Sequence, residues 1–137
     1  MIVLDTNVLS EPLRAEPDEA VLRWIAAQDA LATTSVTVAE LLTGARRLRP
    51  GRRDGLLVAI ERALEAYPAN VLPYDEQAAR RYAEMQEWRR SAGVPLSVEG
   101  GMIAAICSSR SHALATRNTK DFEGLELRLI DPWAAQA

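Results

Sequence analysis

Five short apolar runs, separated by stretches of helical period, are the feature that most limits how this chain can fold. The first, Ile2-Val3-Leu4, stops abruptly at Asp5-Thr6-Asn7, as a buried parallel strand ends in a polar turn. Leu31 to Thr34, Val71 to Tyr74, Ala113 to Thr116 and Leu127 to Ile130 are the others. Between them the spacing predicts a short helix over Val8 to Leu13 and a second opening at Pro17-Asp18, with Val21, Leu22, Trp24 and Ile25 in period. A third, capped by Ser35 or Thr37, places Val38, Leu41, Leu42 and Ala45 on one face, with Glu40 within it. Helices over Gly55 to Ala66 and Asp75 to Ala92 follow, the latter carrying Tyr82, Met85 and Trp88; Ser97 caps one through Met102, Ile103 and Ile106. Arg46 to Arg53 reads as a loop because of its Pro50-Gly51. Strands alternating with helices imply an α/β/α domain with a central parallel sheet, and 137 residues suit one such domain over 1–137.

The chemistry open to the chain is narrow. His112 is the only histidine, which removes paired-histidine acid–base cleavage and histidine-rich zinc sites, and it reads as a surface residue at the start of a strand. The one cysteine, Cys107, lies on an apolar helix face and fits a reducing, cytoplasmic setting. No run approaches the ~20 apolar residues of a membrane span, and no basic segment precedes Ile2 as a signal peptide would require. A net charge of −3 speaks against a broadly basic nucleic-acid-binding surface, but not against an enzyme whose positive charge is local to a metal centre. Arg46, Arg47, Arg49, Arg52 and Arg53 form the densest basic patch, read either as a solvated loop or as an RNA-backbone contact.

Carboxylates remain. In an open α/β sheet ligands bind beyond the carboxyl ends of the strands. Asp5 ends the first strand, and Asn118 and Asp121 follow the strand Ala113 to Thr116. Glu40 reaches the same crevice if the polar side of its helix faces it. Acids brought together repel one another unless a cation compensates, and hard oxygen ligands select Mg²⁺, with Mn²⁺ as a substitute. One or two such ions activate a water for in-line attack at phosphorus. On spacing alone each acid reads equally as a solvated or capping residue.

Four stretches in order carry a more specific signal. Val3-Leu4-Asp5-Thr6-Asn7-Val8-Leu9-Ser10-Glu11-Pro12-Leu13-Arg14 resembles the opening of PIN-domain toxins of the VapC type, in their FitB-like branch. Thr37-Val38-Ala39-Glu40-Leu41-Leu42 with Gly44 resembles the second motif of that family, Met102-Ile103-Ala104-Ala105 the third, and Thr116-Arg117-Asn118 with Asp121-Phe122 the fourth. The closing Asp131-Pro132-Trp133 is similar to that branch as well. The resemblance implies a Mg²⁺-dependent endoribonuclease toxin of a type II toxin–antitoxin system, cytoplasmic, dimeric and paired with a VapB-like antitoxin. It assigns Asp5, Glu40 and Asp121 to the metal, with Asn118 as an orienting partner and Thr6, Asn7 and Thr116 behind them.

The third motif departs from the family. Gly100 stands three residues before Ile103, where the resemblance places a ligand aspartate. Glycine offers no ligand, and Glu99 projects about 100° away on a 3.6-residue turn. The resemblance thus implies a site weakened or inactivated at Gly100. Two other readings stay open: an inert PIN-like module that only holds its antitoxin, and a metal-dependent DNase.

Overall fold

A computed structural model describes residues 1–134. Its strands are β1 (Ile2–Leu4), β2 (Leu31–Thr34), β3 (Asn70–Leu72), β4 (Ala113–Ala115) and β5 (Leu129–Ile130). They form one sheet in the order β3-β2-β1-β4-β5, with every neighbouring pair parallel. The helices are α1 (Thr6–Ser10), α2 (Glu19–Ala26), α3 (Ser35–Arg46), α4 (Pro50–Ala66), α5 (Glu76–Ser91) and α6 (Val98–Ser109). The expected α/β/α architecture is the one observed.

The two-residue period of the strands divides the core between the two faces. Val3, Ala32 and Leu114 pack with Met85 of α5 and with Ile103, Ala104 and Ile106 of α6. Leu4, Leu31 and Ala115 pack on the opposite side with Val8, Val21, Ile25, Leu41 and Ile60. β1 lies in the middle of the sheet, and the chain builds outward from it first through β2 and β3, then on the other side through β4 and β5. The reversal falls between β1 and β4, which opens a crevice beyond their carboxyl ends.

Several boundaries differ from the sequence reading. α1 starts at Thr6 because Asp5 caps it, and a 3₁₀ turn, Glu11–Leu13, takes over where Pro12 interrupts the α-helical ladder. α4 begins at Pro50, so Pro50-Gly51 opens a helix where a loop was expected; proline suits the first helical position, whose N–H has no partner to lose. Pro73 confines β3 to Asn70–Leu72. Trp88 lies on the outer side of α5, 39% exposed, with the Arg81 guanidinium over its ring.

The glycine pair in α6 separates into two different cases. A Cβ on Gly101 would lie 2.8 Å from Cε2 of Tyr82 and 3.4 Å from Nε2 of Gln86. That ring is held: Tyr74 meets it edge-on at 6.3 Å, and Gln86 donates to its hydroxyl. Gly101 is what lets α6 approach α5. A Cβ on Gly100 would meet Ser97 Oγ at 2.7 Å, a single rotor, and otherwise the Phe122 ring at 3.8 Å. Gly101→Ala is therefore expected to lower the urea midpoint, since overpacking of about 1–3 kcal/mol exceeds the roughly 1 kcal/mol of helix propensity regained. Gly100→Ala is expected to leave the midpoint nearly unchanged, because that propensity gain offsets a disturbed Ser97 cap of about 1 kcal/mol.

Candidate active site

The register of β1 with β4 aligns Leu4 with Ala115, so the next residues, Asp5 and Thr116, stand side by side beyond the sheet. Asp5 is 7% exposed. Its Oδ1 accepts the Thr6 amide at 2.8 Å, capping α1, and its Oδ2 accepts the Thr116 hydroxyl at 2.7 Å and Asn7 Nδ2 at 3.4 Å. Asn7 Nδ2 also lies 3.3 Å from Thr116 Oγ1, and Asn7 Oδ1 accepts the Arg117 amide. A buried carboxylate thus has a donor on each oxygen, and those donors tie α1 to the loop after β4.

Glu40 comes to the same place on α3, which starts where β2 ends. Thr34 caps that helix, its Oγ1 accepting the Thr37 amide at 3.1 Å. The Thr6 hydroxyl donates to Glu40 Oε1 at 2.9 Å and lies 3.1 Å from Thr37 Oγ1. Thr6 therefore serves both acids, its amide on Asp5 and its hydroxyl on Glu40. Buried Thr37 was not singled out by the sequence; its only signal there was as a possible helix cap.

Asp5 and Glu40 open into a cavity of about 640 Å³ that Glu99, Gly100, Asn118 and Asp121 also line. Asp121 lies in a 3₁₀ turn, Thr119–Phe122, that follows Asn118, and its amide bonds the Asn118 carbonyl. Asn118 joins the network through its backbone N–H, which donates to Thr116 Oγ1 at 3.1 Å. Arg89, absent from the sequence reading, holds this wall in place. Its Nε donates to the Val94 carbonyl and its Nη1 to the carbonyls of Asp121 and Glu123. Nothing in the sequence distinguished it from the other arginines of α5.

The acids burden one another. Burial pushes the Asp5 carboxyl above its ordinary value; the Thr116 and Thr6 hydrogen bonds oppose that, and the charge of Asp121 adds to it. Burial likewise raises Glu40, opposed by Thr6 and reinforced by Asp5 and Glu99. The donors are hard oxygens, and a divalent cation would relieve their repulsion, so their chemistry fits Mg²⁺. Their number is short. Among the described residues, no three acidic, histidine or cysteine side chains converge as a ligand set. Gly100 and Glu99 both lie in the wall of the cavity. Cys107 and His112 lie outside the cavity, the thiol buried and raised far above its usual range.

Residues 2–126 match the PIN domain family. A Sinorhizobium fredii protein named VapC ribonuclease Y4jK is 41% identical, over 97% of this chain and 98% of its own length. The solved structure of FitAcB from Neisseria gonorrhoeae aligns with a TM-score of 0.89 at 33% identity, covering 98% of this chain and 99% of that one. VapBC-5 from Mycobacterium tuberculosis, described as a member of the VapBC family of toxin–antitoxin systems, aligns with a TM-score of 0.70 at 30% identity over 93% and 95% of the two chains.

Because Asp5 holds its proton more tightly folded than unfolded, its ionisation opposes folding. That contribution is absent below the unfolded value near 3.8 and grows as pH rises through the folded one. Asp5→Asn keeps a competent cap. In EDTA the variant should match the parent urea midpoint at pH values below that range and exceed it at pH 7. Equal midpoints at both ends would show that the Asp5 carboxylate carries no such penalty.

Proposed function

The chain belongs to the PIN-domain family, and on that premise we propose that it is a Mg²⁺-dependent endoribonuclease toxin, weakened at Gly100 and held in check by a VapB-like antitoxin. The observation that carries this reading is the bridge at Thr6, which draws Asp5 and Glu40 together at the switch point between β1 and β4. We read residues 1–137 as one PIN domain working in the cytoplasm, and as a homodimer. The ribonuclease name of the Sinorhizobium relative supports RNA over DNA as substrate, and the toxin–antitoxin description of VapBC-5 supports the partner. Mn²⁺ would serve in place of Mg²⁺.

Asp5 and Glu40 would hold the ion, with Asp121, which does not converge with them, as an outer ligand. When bound, it supplies an activated water and charge stabilisation for in-line displacement at an RNA phosphodiester. Thr116 and Asn7 fix the rotamer of Asp5, which lines the cavity. Thr6 sets the separation of Asp5 from Glu40 through one side chain and its own amide. Asn118 holds Thr116 in turn. A basic side chain of the antitoxin suits the same cavity, because an arginine fork pairs bidentately with carboxylates.

An inert module that only binds its antitoxin is the second reading, favoured by the incomplete ligand set. One experiment separates the two. Gly100→Asp places a carboxylate on the first turn of α6, where the helix dipole favours it and where the Ser97 hydroxyl has only to rotate away. Mg²⁺-dependent RNA cleavage should rise at least about tenfold over the parent chain. EDTA, or Asp5→Ala added to Gly100→Asp, should abolish it. No cleavage by any of these proteins, across varied RNAs, would establish the inert module instead. Cleavage of DNA but not RNA would replace the substrate.

A further inference from the structure

The closing Asp131-Pro132-Trp133 turn contributes nothing to the carboxylate pair, yet it is physically joined to it. The Trp133 amide donates to Asp131 Oδ1 at 2.9 Å, and its indole packs half-buried against the core beneath α1 and α4. The Arg117 guanidinium carbon lies 4.9 Å from the centroid of that ring. The backbone of Arg117 is itself fixed, because its amide donates to Asn7 Oδ1, and the same Asn7 holds Asp5 through its other amide atom. Arg117 stands between Thr116, which bonds Asp5, and Asn118, which lines the cavity.

Arg117 differs from the arginines around it in what its side chain leaves free. Arg110 pairs with Asp75, and Arg89 spends its donors on backbone carbonyls. Arg117 is exposed, and among the described residues no carboxylate pairs with it. A ring contact engages the face of a guanidinium and leaves its in-plane N–H donors available. Those donors match a phosphate, and stacking reduces the side-chain entropy lost when they bind one. The need for such a group is electrostatic. The cavity presents Asp5, Glu40, Glu99 and Asp121 to a polyanion, on a chain of net charge −3.

We propose that Arg117, poised by Trp133, binds a phosphate of the single-stranded RNA flanking the one that enters the acidic cavity. The inference rests on the RNA reading of that cavity and extends it to a substrate-positioning group outside it. Asp131-Pro132-Trp133 is thereby part of the substrate surface.

The test is binding of a fluorescently labelled single-stranded RNA to the full chain in EDTA, so that no cleavage intervenes, over a series of NaCl concentrations. Arg117→Ala should weaken binding about fivefold at low salt, the scale of one exposed ionic contact. It should also lower the slope of log K against log salt by about 0.7, the value for one phosphate on a single strand. Arg117→Lys should restore the slope while leaving part of the affinity lost. Trp133→Phe should stay close to the parent, and Trp133→Ala should fall toward Arg117→Ala. Urea midpoints are measured on every variant, since a packing role alone would move those and leave the salt slope unchanged. An unchanged slope in Arg117→Ala, with the parent binding RNA normally, overturns the proposal and leaves the RNA reading standing. A parent chain that binds no RNA overturns both.

Discussion

The carboxylate of Asp5 is the point through which the fold and the site depend on each other. Burying an ionised group at the end of a central strand is unfavourable unless its lone pairs are met. Here they are met by Thr6, Asn7 and Thr116, from the start of α1 and the end of β4. Thr116 lies 111 residues from Asp5 along the chain, and the acid joins the two segments on the side of the sheet where the topology reverses. Remove the side-chain donors and the acid becomes an unpaired buried charge. Remove the acid and the donors lose the acceptor that orients them. Glu40 is coupled to this arrangement through Thr6 rather than by direct contact between carboxylates.

The threonines explain how the fold brings two acids to one cavity. Thr34, Thr37, Thr6 and Glu40 form a connected run of hydrogen bonds from the end of β2 to the cavity. Each hydroxyl can donate one bond while accepting others, and the run ends on Glu40, while Asp5 takes the Thr6 amide. The raised values of Asp5 and Glu40 show that this compensation is partial. Sites of this kind trade stability for function.

Much of this was legible in the sequence, and the remainder was hidden for definable reasons. Asp5, Glu40, Asn118 and Asp121 stand at strand ends or on a helix whose polar side was visible from its period, and all four line one cavity. Thr6, Asn7 and Thr116 were legible through motif order, since a polar turn residue satisfying its own backbone looks the same in sequence. Arg89 was not legible, because three of its bonds go to backbone carbonyls, and no residue type marks those. The start of α4 was misread because Pro50-Gly51 serves either a turn or a first helical turn, and packing of Ile60 and Ala63 decides between them. Gly100 was legible as the departure from its place three residues before Ile103, whereas the packing of Gly101 against Tyr82 was not.

Under the proposed metal reading, Gly100 bears on both folding and ion binding. An acid at that position would add a further negative charge to Asp5, Glu40, Glu99 and Asp121, and would displace the Ser97 hydroxyl from its cap on the Gly100 amide. Without a cation both effects disfavour the folded chain. With one, the added carboxylate becomes a ligand, and binding free energy returns as stability through mass action. On the proposed metal reading, glycine would shift the chain toward a form that folds more readily without metal and holds metal less well. Both consequences follow from one missing side chain, and neither requires any change in the sheet, the Thr6 bridge or the Asp5 network.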